Sequence, residues 1–297
     1  MIRRVLLFFS VNVAVMMVLS VLLALLGVRG EGLMGLAILC GVFGFGGSFI
    51  SLQISRWSAK RAMGIALIDP NTPRPGMEAQ LVQRVRALSQ KAGLPKLPEI
   101  GVYRSPEVNA FATGPSSSRS LVAVSTGLLE RMDDDAVEGV LGHEISHIAN
   151  GDMVTMALLQ GVVNTFVMFV ARIIAGIIDN FLRGNDERGG GLGFFGYFIV
   201  VNVLQGVLFI LAMPIIGAFS RWREFRADAG SARLAGAPTM IHALESLARN
   251  TGHFDKNDAA LATFKIQGGV RGLLGKLSAT HPPIPDRIQA LRQRQAN

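Results

Sequence analysis

Two stretches near the start of the chain, residues 5–28 and 32–55, contain no charged side chain at all. Each is long enough to cross a hydrocarbon core of about 30 Å as a helix. In that solvent a helix is the only single segment that satisfies its own backbone. Arg3 and Arg4 precede the first stretch, as they would a signal peptide. The stretch is too long for that, and no small-residue cleavage site closes it before Arg29, so it is expected to be an anchor. The predicted spans are 5–28 and 33–55, then 153–178 and 194–219 later in the chain. In the third, Arg172 is expected to snorkel to the far interface. The fourth follows a glycine-rich loop (Gly189 to Gly191, Gly193). A buried helical hairpin would be as apolar as these last two, but neither carries an amphipathic stripe. Composition agrees with spans: 50% of the 297 residues are hydrophobic, 17% are charged and the mean hydropathy is +0.40.

Basic residues set the expected orientation. Arg3 and Arg4 precede span one, Arg56, Lys60 and Arg61 follow span two, and Arg221, Arg223 and Arg226 follow span four. The loop between spans one and two offers only Arg29, and the 179–188 loop sets Arg183 and Arg188 against Asp179, Asp186 and Glu187. Both termini and the 56–152 segment are therefore expected on the cytoplasmic side. Trp57 and Trp222, each beside a basic cluster, read as interfacial anchors. The net charge of +8 and the pI near 10.4 are explained by this lipid-facing arrangement. No interleaved basic–aromatic pattern points to nucleic acid. Cys40, the one cysteine, lies in an apolar run, which excludes a disulfide framework and a thiolate metal cluster.

Two soluble pieces remain on one side, 56–152 and 221–297, together large enough for one core. In the first, a helix is predicted over 77–92 and strands over 98–103, 108–113 and 120–125. The last two strands are joined by the turn-rich Gly114–Arg119 stretch. After Asp133 to Asp135, which suit a helix start, a helix is predicted from Ala136 to Asn150.

That helix carries Gly142-His143-Glu144-Ile145-Ser146-His147, an H-E-x-x-H pattern. On a helix, positions i and i+4 share a face, so His143 and His147 can share one ion. Glu144 lies beside that face and can take a proton from a water that zinc makes acidic. Val137, Val140, Leu141, Ile145 and Ile148 bury the rest of the helix, and buried histidines beside a carboxylate need a reason. A catalytic zinc takes three protein ligands. Spans three and four leave the catalytic side and return, delivering Glu224 and Asp228, again i and i+4. Small residues around them (Ala227, Ala229, Gly230, Ser231, Ala232) permit a close helix approach. Glu224 is the expected third ligand; Asp228 is expected to accept the second ring N–H of His143 or His147. Asn109 opens a strand that can pair with an extended peptide, or is an ordinary turn residue before a hairpin. His281 either donates to the tetrahedral oxyanion or is a loop residue capping a helix near Asp286. His242 and His253 read as structural or solvated.

With these motifs in place, the sequence resembles the HtpX family of bacterial membrane zinc endopeptidases, related to the CAAX-prenyl endopeptidases. The resemblance rests on Asn109–Gly114, Gly142–Asp152, Arg223–Asp228 and Thr280–Arg287, in order along nearly the whole chain; the 183–193 loop matches nothing. It implies ligands at His143, His147 and Glu224, one zinc per chain, and Glu144 as the catalytic base. It also implies cleavage of misfolded or damaged membrane proteins on the cytoplasmic side, in quality control under stress. The expected architecture is mainly α: a four-span membrane protein bearing an α+β, zincin-like cytoplasmic metalloprotease domain with a small β-sheet. Its expected partners are polypeptide substrates and the lipid bilayer.

Overall fold

A computed structural model describes residues 32–184, 191–254 and 281–296. Its elements, in chain order, are α1 (Gly32–Met63), β1 (Ala66–Ile68), α2 (Met77–Lys91), β2 (Glu99–Tyr103), β3 (Ala110–Ser116), β4 (Arg119–Ser125), α3 (Thr126–Arg131), α4 (Asp134–Ala149), α5 (Asp152–Arg183), α6 (Gly193–Leu234), α7 (Ala237–Phe254) and α8 (Ile284–Ala296). The first predicted span, 5–28, lies outside the described residues. These residues divide into two compact units, one drawn from Met1–Ser51 and Ala157–Met213, the other from Leu52–Met156 and Pro214–Asn297.

The first unit holds the apolar parts of α1, α5 and α6. These three helices are long and apolar enough to cross a membrane. Along α1 the buried residues are Cys40, Gly44 and Ser48, one small residue per turn. A Cβ on Gly44 would lie 2.6 Å from the Thr165 backbone nitrogen, so glycine permits α1 and α5 to touch backbone to backbone. Asn164 reaches Ser48 Oγ at 3.5 Å, and Gln160 donates to Asn164 Oδ1 at 3.0 Å. Both faces of α5 are apolar: Val163, Val167, Met168 and Ala171 are buried around Gln160 and Asn164, while Leu158, Val162 and Phe166 face outward. On α6 Phe195, Ile199, Val203, Val207 and Leu211 are exposed. An apolar surface this continuous suits lipid rather than water, which disfavours the buried hairpin. Arg172 folds its guanidinium back onto the Met168 carbonyl at 3.2 Å. The helices also outrun the predicted spans: α5 continues to Arg183, and α6 runs unbroken past Pro214 to Leu234.

The second unit is built around α4. Almost every residue of it from Ala136 to Ile148 is buried, so this helix is the centre of the core rather than its edge. Asp133 caps it by accepting from the Ala136 nitrogen at 2.9 Å. That bond, with a second from His242, holds its carboxyl below the usual carboxylate range. Helix α2 lays Leu81, Val82, Val85 and Leu88 against α4, a spacing that follows the helical period. The sheet has the order β1-β2-β4-β3, with β2 and β4 parallel and the outer pairs antiparallel. Val122 and Val124 of β4 point into the same core as Leu141, Ile145 and Ile148. Each such side chain, fully buried, contributes roughly 1.5–3 kcal/mol.

Three of the four strands fall within two to three residues of their predicted limits. The hairpin starts later than expected because β3 runs to Ser116, which pairs with Arg119. At Gly114, φ is 142°, and a Cβ would strike Arg119 and Ser120. The turn-rich stretch is thus largely strand, with glycine admitting a backbone that other residues avoid. β1 and α3 were not predicted. β1 has only three residues and α3 only six, the latter begun by a local cap in which Ser125 accepts from the Leu128 nitrogen at 3.0 Å.

Candidate metal centre

Helices α4 and α6 meet through small residues. A Cβ on Gly142 would come within 2.6 Å of Ser231 Oγ, and one on Gly230 within 2.6 Å of Ser146 Cβ. Each glycine therefore receives the serine of the other helix. Neither hydroxyl is free to yield: Ser231 donates to the Gly139 carbonyl at 2.8 Å and Ser146 to the Gly142 carbonyl at 2.7 Å. This contact sets the distance between His143 and His147 on α4 and Glu224 and Asp228 on α6.

The two imidazoles stand edge to face, with ring centroids 4.6 Å apart. Their Nε2 atoms lie 3.0 Å from each other, and each is 3.4 Å from a Glu224 oxygen. One ligand atom from each of the three residues falls within 4.8 Å of the others. Four ligands at ~2.0–2.1 Å around zinc would be about 3.3 Å apart. The three donors therefore already have the spacing of one face of such a site, and the donor set fits the metal. All three residues are buried: Glu224 is 1% exposed and each histidine 8%.

The distal nitrogens face carboxylates. His143 Nδ1 lies 2.9 Å from Asp228 Oδ1, and His147 Nδ1 lies 2.6 Å from Asp152 Oδ2. With Nδ1–H donating in both rings, each Nε2 is left with its lone pair toward the centre. Without an ion, burial opposes charge on His143, but the hydrogen bonds to Asp228 and Glu224 outweigh it and raise its pKa to about 9, so a metal must displace that proton to reach Nε2. Burial likewise opposes the ionised form of Glu224; its bonds to His143, His147 and His281 prevail and hold it ionised, far below the usual range. Asp228 is also held low: burial is outweighed by its bonds with Arg287 and His143. Arg287 Nε donates to Asp228 Oδ2 at 2.7 Å, and a second guanidinium nitrogen reaches Oδ1.

Glu144 follows His143 on α4 and is buried. His281 donates from Nδ1 to Glu224 Oε2 at 2.9 Å, with its own side chain more than half exposed. Asn109 stands apart from this group. Its nitrogen and carbonyl both bond Ser125, at 3.1 and 2.9 Å, at the start of β3. β3 is an edge of the sheet among the described residues and packs beside α4. His242 pairs with Asp133 at 2.7 Å, a structural role; the side chain of His253 lies outside the described residues.

Sequence reasoning missed Asp152 and Arg287. Asp152 was available as a signal, since it closes the Gly142–Asp152 stretch. Read by helical spacing, however, it lies five residues beyond His147 and off the helix. Gly151, at φ 68°, turns the chain so that Asp152 comes back under the ring. Arg287 is reached only through the tertiary fold.

The sequence profile described as Peptidase family M48 matches residues 75–295. The protease HtpX of Shewanella loihica (strain ATCC BAA-1088 / PV-4) is 51% identical over 290 residues, which cover 98% of this chain and 99% of the relative. The protease HtpX of Shewanella oneidensis is 51% identical over 292 residues, covering 98% and 100%. Among solved structures, the crystal structure of S. mikatae Ste24p is similar with a TM-score of 0.64 at 19% identity. The match covers 98% of this chain and 64% of that one, and at this identity it speaks for the fold alone.

Proposed function

The chain belongs to peptidase family M48, among the HtpX proteases, and from that premise we propose that it is a membrane-bound zinc endopeptidase. It cleaves misfolded or damaged membrane proteins on the cytoplasmic side of the bacterial inner membrane. The observation that carries this reading is the convergence of His143 Nε2, His147 Nε2 and the Glu224 carboxylate at tetrahedral spacing. These three residues would hold the ion. When bound, zinc supplies a Lewis acid that brings the ionisation of a water molecule near neutral pH.

Glu144 takes the proton of the attacking water and returns it to the departing amine. Asp228 and Asp152 hold the histidines in the tautomer that leaves Nε2 free, and Arg287 keeps Asp228 ionised. His281, already beside Glu224, donates to the oxyanion that forms at the scissile carbonyl. The open edge of β3, beginning at Asn109, takes the substrate as an added strand, which suits an unfolded chain because only extended backbone pairs there. Four spans, at 5–28, 33–55, 153–178 and 194–219, anchor the two halves of the domain, 56–152 and 221–297, with both termini cytoplasmic.

The test is cleavage of an unfolded membrane polypeptide by purified protein before and after metal removal. Chelation should abolish cleavage, and stoichiometric zinc should restore it. Cleavage that persists in metal-free protein would refute the reading.

A further inference from the structure

Both tryptophans of the chain stand in the same short pattern. Arg56-Trp57-Ser-Ala-Lys-Arg61 and Arg221-Trp222-Arg-Glu-Phe-Arg226 each read Arg-Trp followed, after three residues, by Arg. One lies in α1 and the other in α6, each after the apolar stretch of its helix. Both indoles face outward, Trp57 being 61% and Trp222 51% exposed. Over each ring sits the guanidinium of the arginine one helical turn on: Arg61 at 5.2 Å from the Trp57 centroid, Arg226 at 4.6 Å from that of Trp222.

Neighbouring cations are committed elsewhere. Arg56 and Lys60 pair with Glu99 at 3.3 and 2.7 Å, and Arg223 with Glu224 at 3.3 Å. Among the described residues, Arg61 and Arg226 have no acidic partner. In both copies of the pattern, then, an arginine with no acidic partner among the described residues is stacked on an exposed indole. A stacked guanidinium keeps its in-plane N–H donors directed outward, where they suit two oxygens of a phosphate. The exposed indole suits the boundary between headgroup and acyl chain.

We propose that each Trp–Arg stack binds the headgroup phosphate of an anionic phospholipid. The indole rests at the acyl boundary and the guanidinium holds the phosphate. The second stack lies on the helix that supplies Glu224, so one lipid is held by the element that carries the third metal ligand. This rests on the reading of α1 and α6 as membrane spans.

The chain has only these two tryptophans, so fluorescence excited selectively in the indole band, where its two tyrosines do not absorb, reads the two sites and nothing else. The whole protein is placed in phosphatidylcholine vesicles containing equal fractions of either phosphatidylglycerol or phosphatidylcholine brominated near the headgroup. Brominated phosphatidylglycerol should quench more strongly, since a basic residue at the surface enriches anionic lipid by roughly fivefold. Arg61→Gln, read with Trp222→Phe, and Arg226→Gln, read with Trp57→Phe, should each remove the excess at the remaining tryptophan. Inorganic phosphate should relieve it no more than chloride at equal ionic strength. Equal quenching by the two lipids, an excess that survives loss of the arginine, or relief specific to free phosphate would each overturn the headgroup site. Absence of quenching by either lipid would instead contradict the spans themselves.

Discussion

At the scale of single residues, the chemistry of the centre divides into what spacing reveals and what folding must supply. His143, Glu144 and His147 are legible because four residues make one helical turn. Glu224 and Asp228 repeat that spacing among small neighbours. Asp152 and Arg287 are not legible, because a turn at Gly151 and a separation of 59 residues from Asp228 bring them in. The roles separate by experiment. Glu224→Ala removes a charged ligand and should cost more zinc affinity than Asp228→Ala or Asp152→Asn, each of which loses the orientation of a ligand, typically 10–100-fold. Equilibrium zinc competition on the purified variants measures this. Wild-type affinity in Glu224→Ala would move the third ligand elsewhere.

Elements were predictable where their own residues decide them. Helix α2 shows its buried face in the period of Leu81, Val85 and Leu88, and α4 shows its start in Asp133. β1 and α3 escape because neither has enough residues for a period, and each is held by neighbours already in place. The close contact of α4 and α6 was foreshadowed by the small residues after Glu224, but the reciprocal seating of Gly142 on Ser231 and Gly230 on Ser146 is a property of the packed pair. Gly230→Ala drives a methyl into Ser146, an overpacking that costs about 1–3 kcal/mol. It should separate the helices and weaken zinc binding about tenfold or more. Adding Ser146→Gly should restore affinity by returning the space. If Gly230→Ala binds zinc as tightly as the parent, that contact does not set the ligand geometry.

For the whole molecule, hydropathy located three helices long and apolar enough to cross a membrane, and each helix runs on beyond its apolar stretch. Side chains past the apolar stretch change character while the backbone hydrogen bonds continue, so α6 carries helix from the predicted span to Glu224. Orientation rests on the distribution of Arg and Lys. Cysteines introduced singly near Gly184 should react only with reagent outside the cell membrane, and those near Ser118 only from the cytoplasm. The native Cys40 is buried and should contribute little background. Outside labelling at both would overturn the orientation. One buried centre is expected to join metal binding to proton transfer by Glu144. The most direct test measures zinc content and peptide cleavage together in Glu144→Gln. That variant should keep one zinc per chain while losing cleavage by at least about 100-fold, because an amide cannot accept the water's proton. Cleavage near the wild-type rate with zinc still bound would contradict the account.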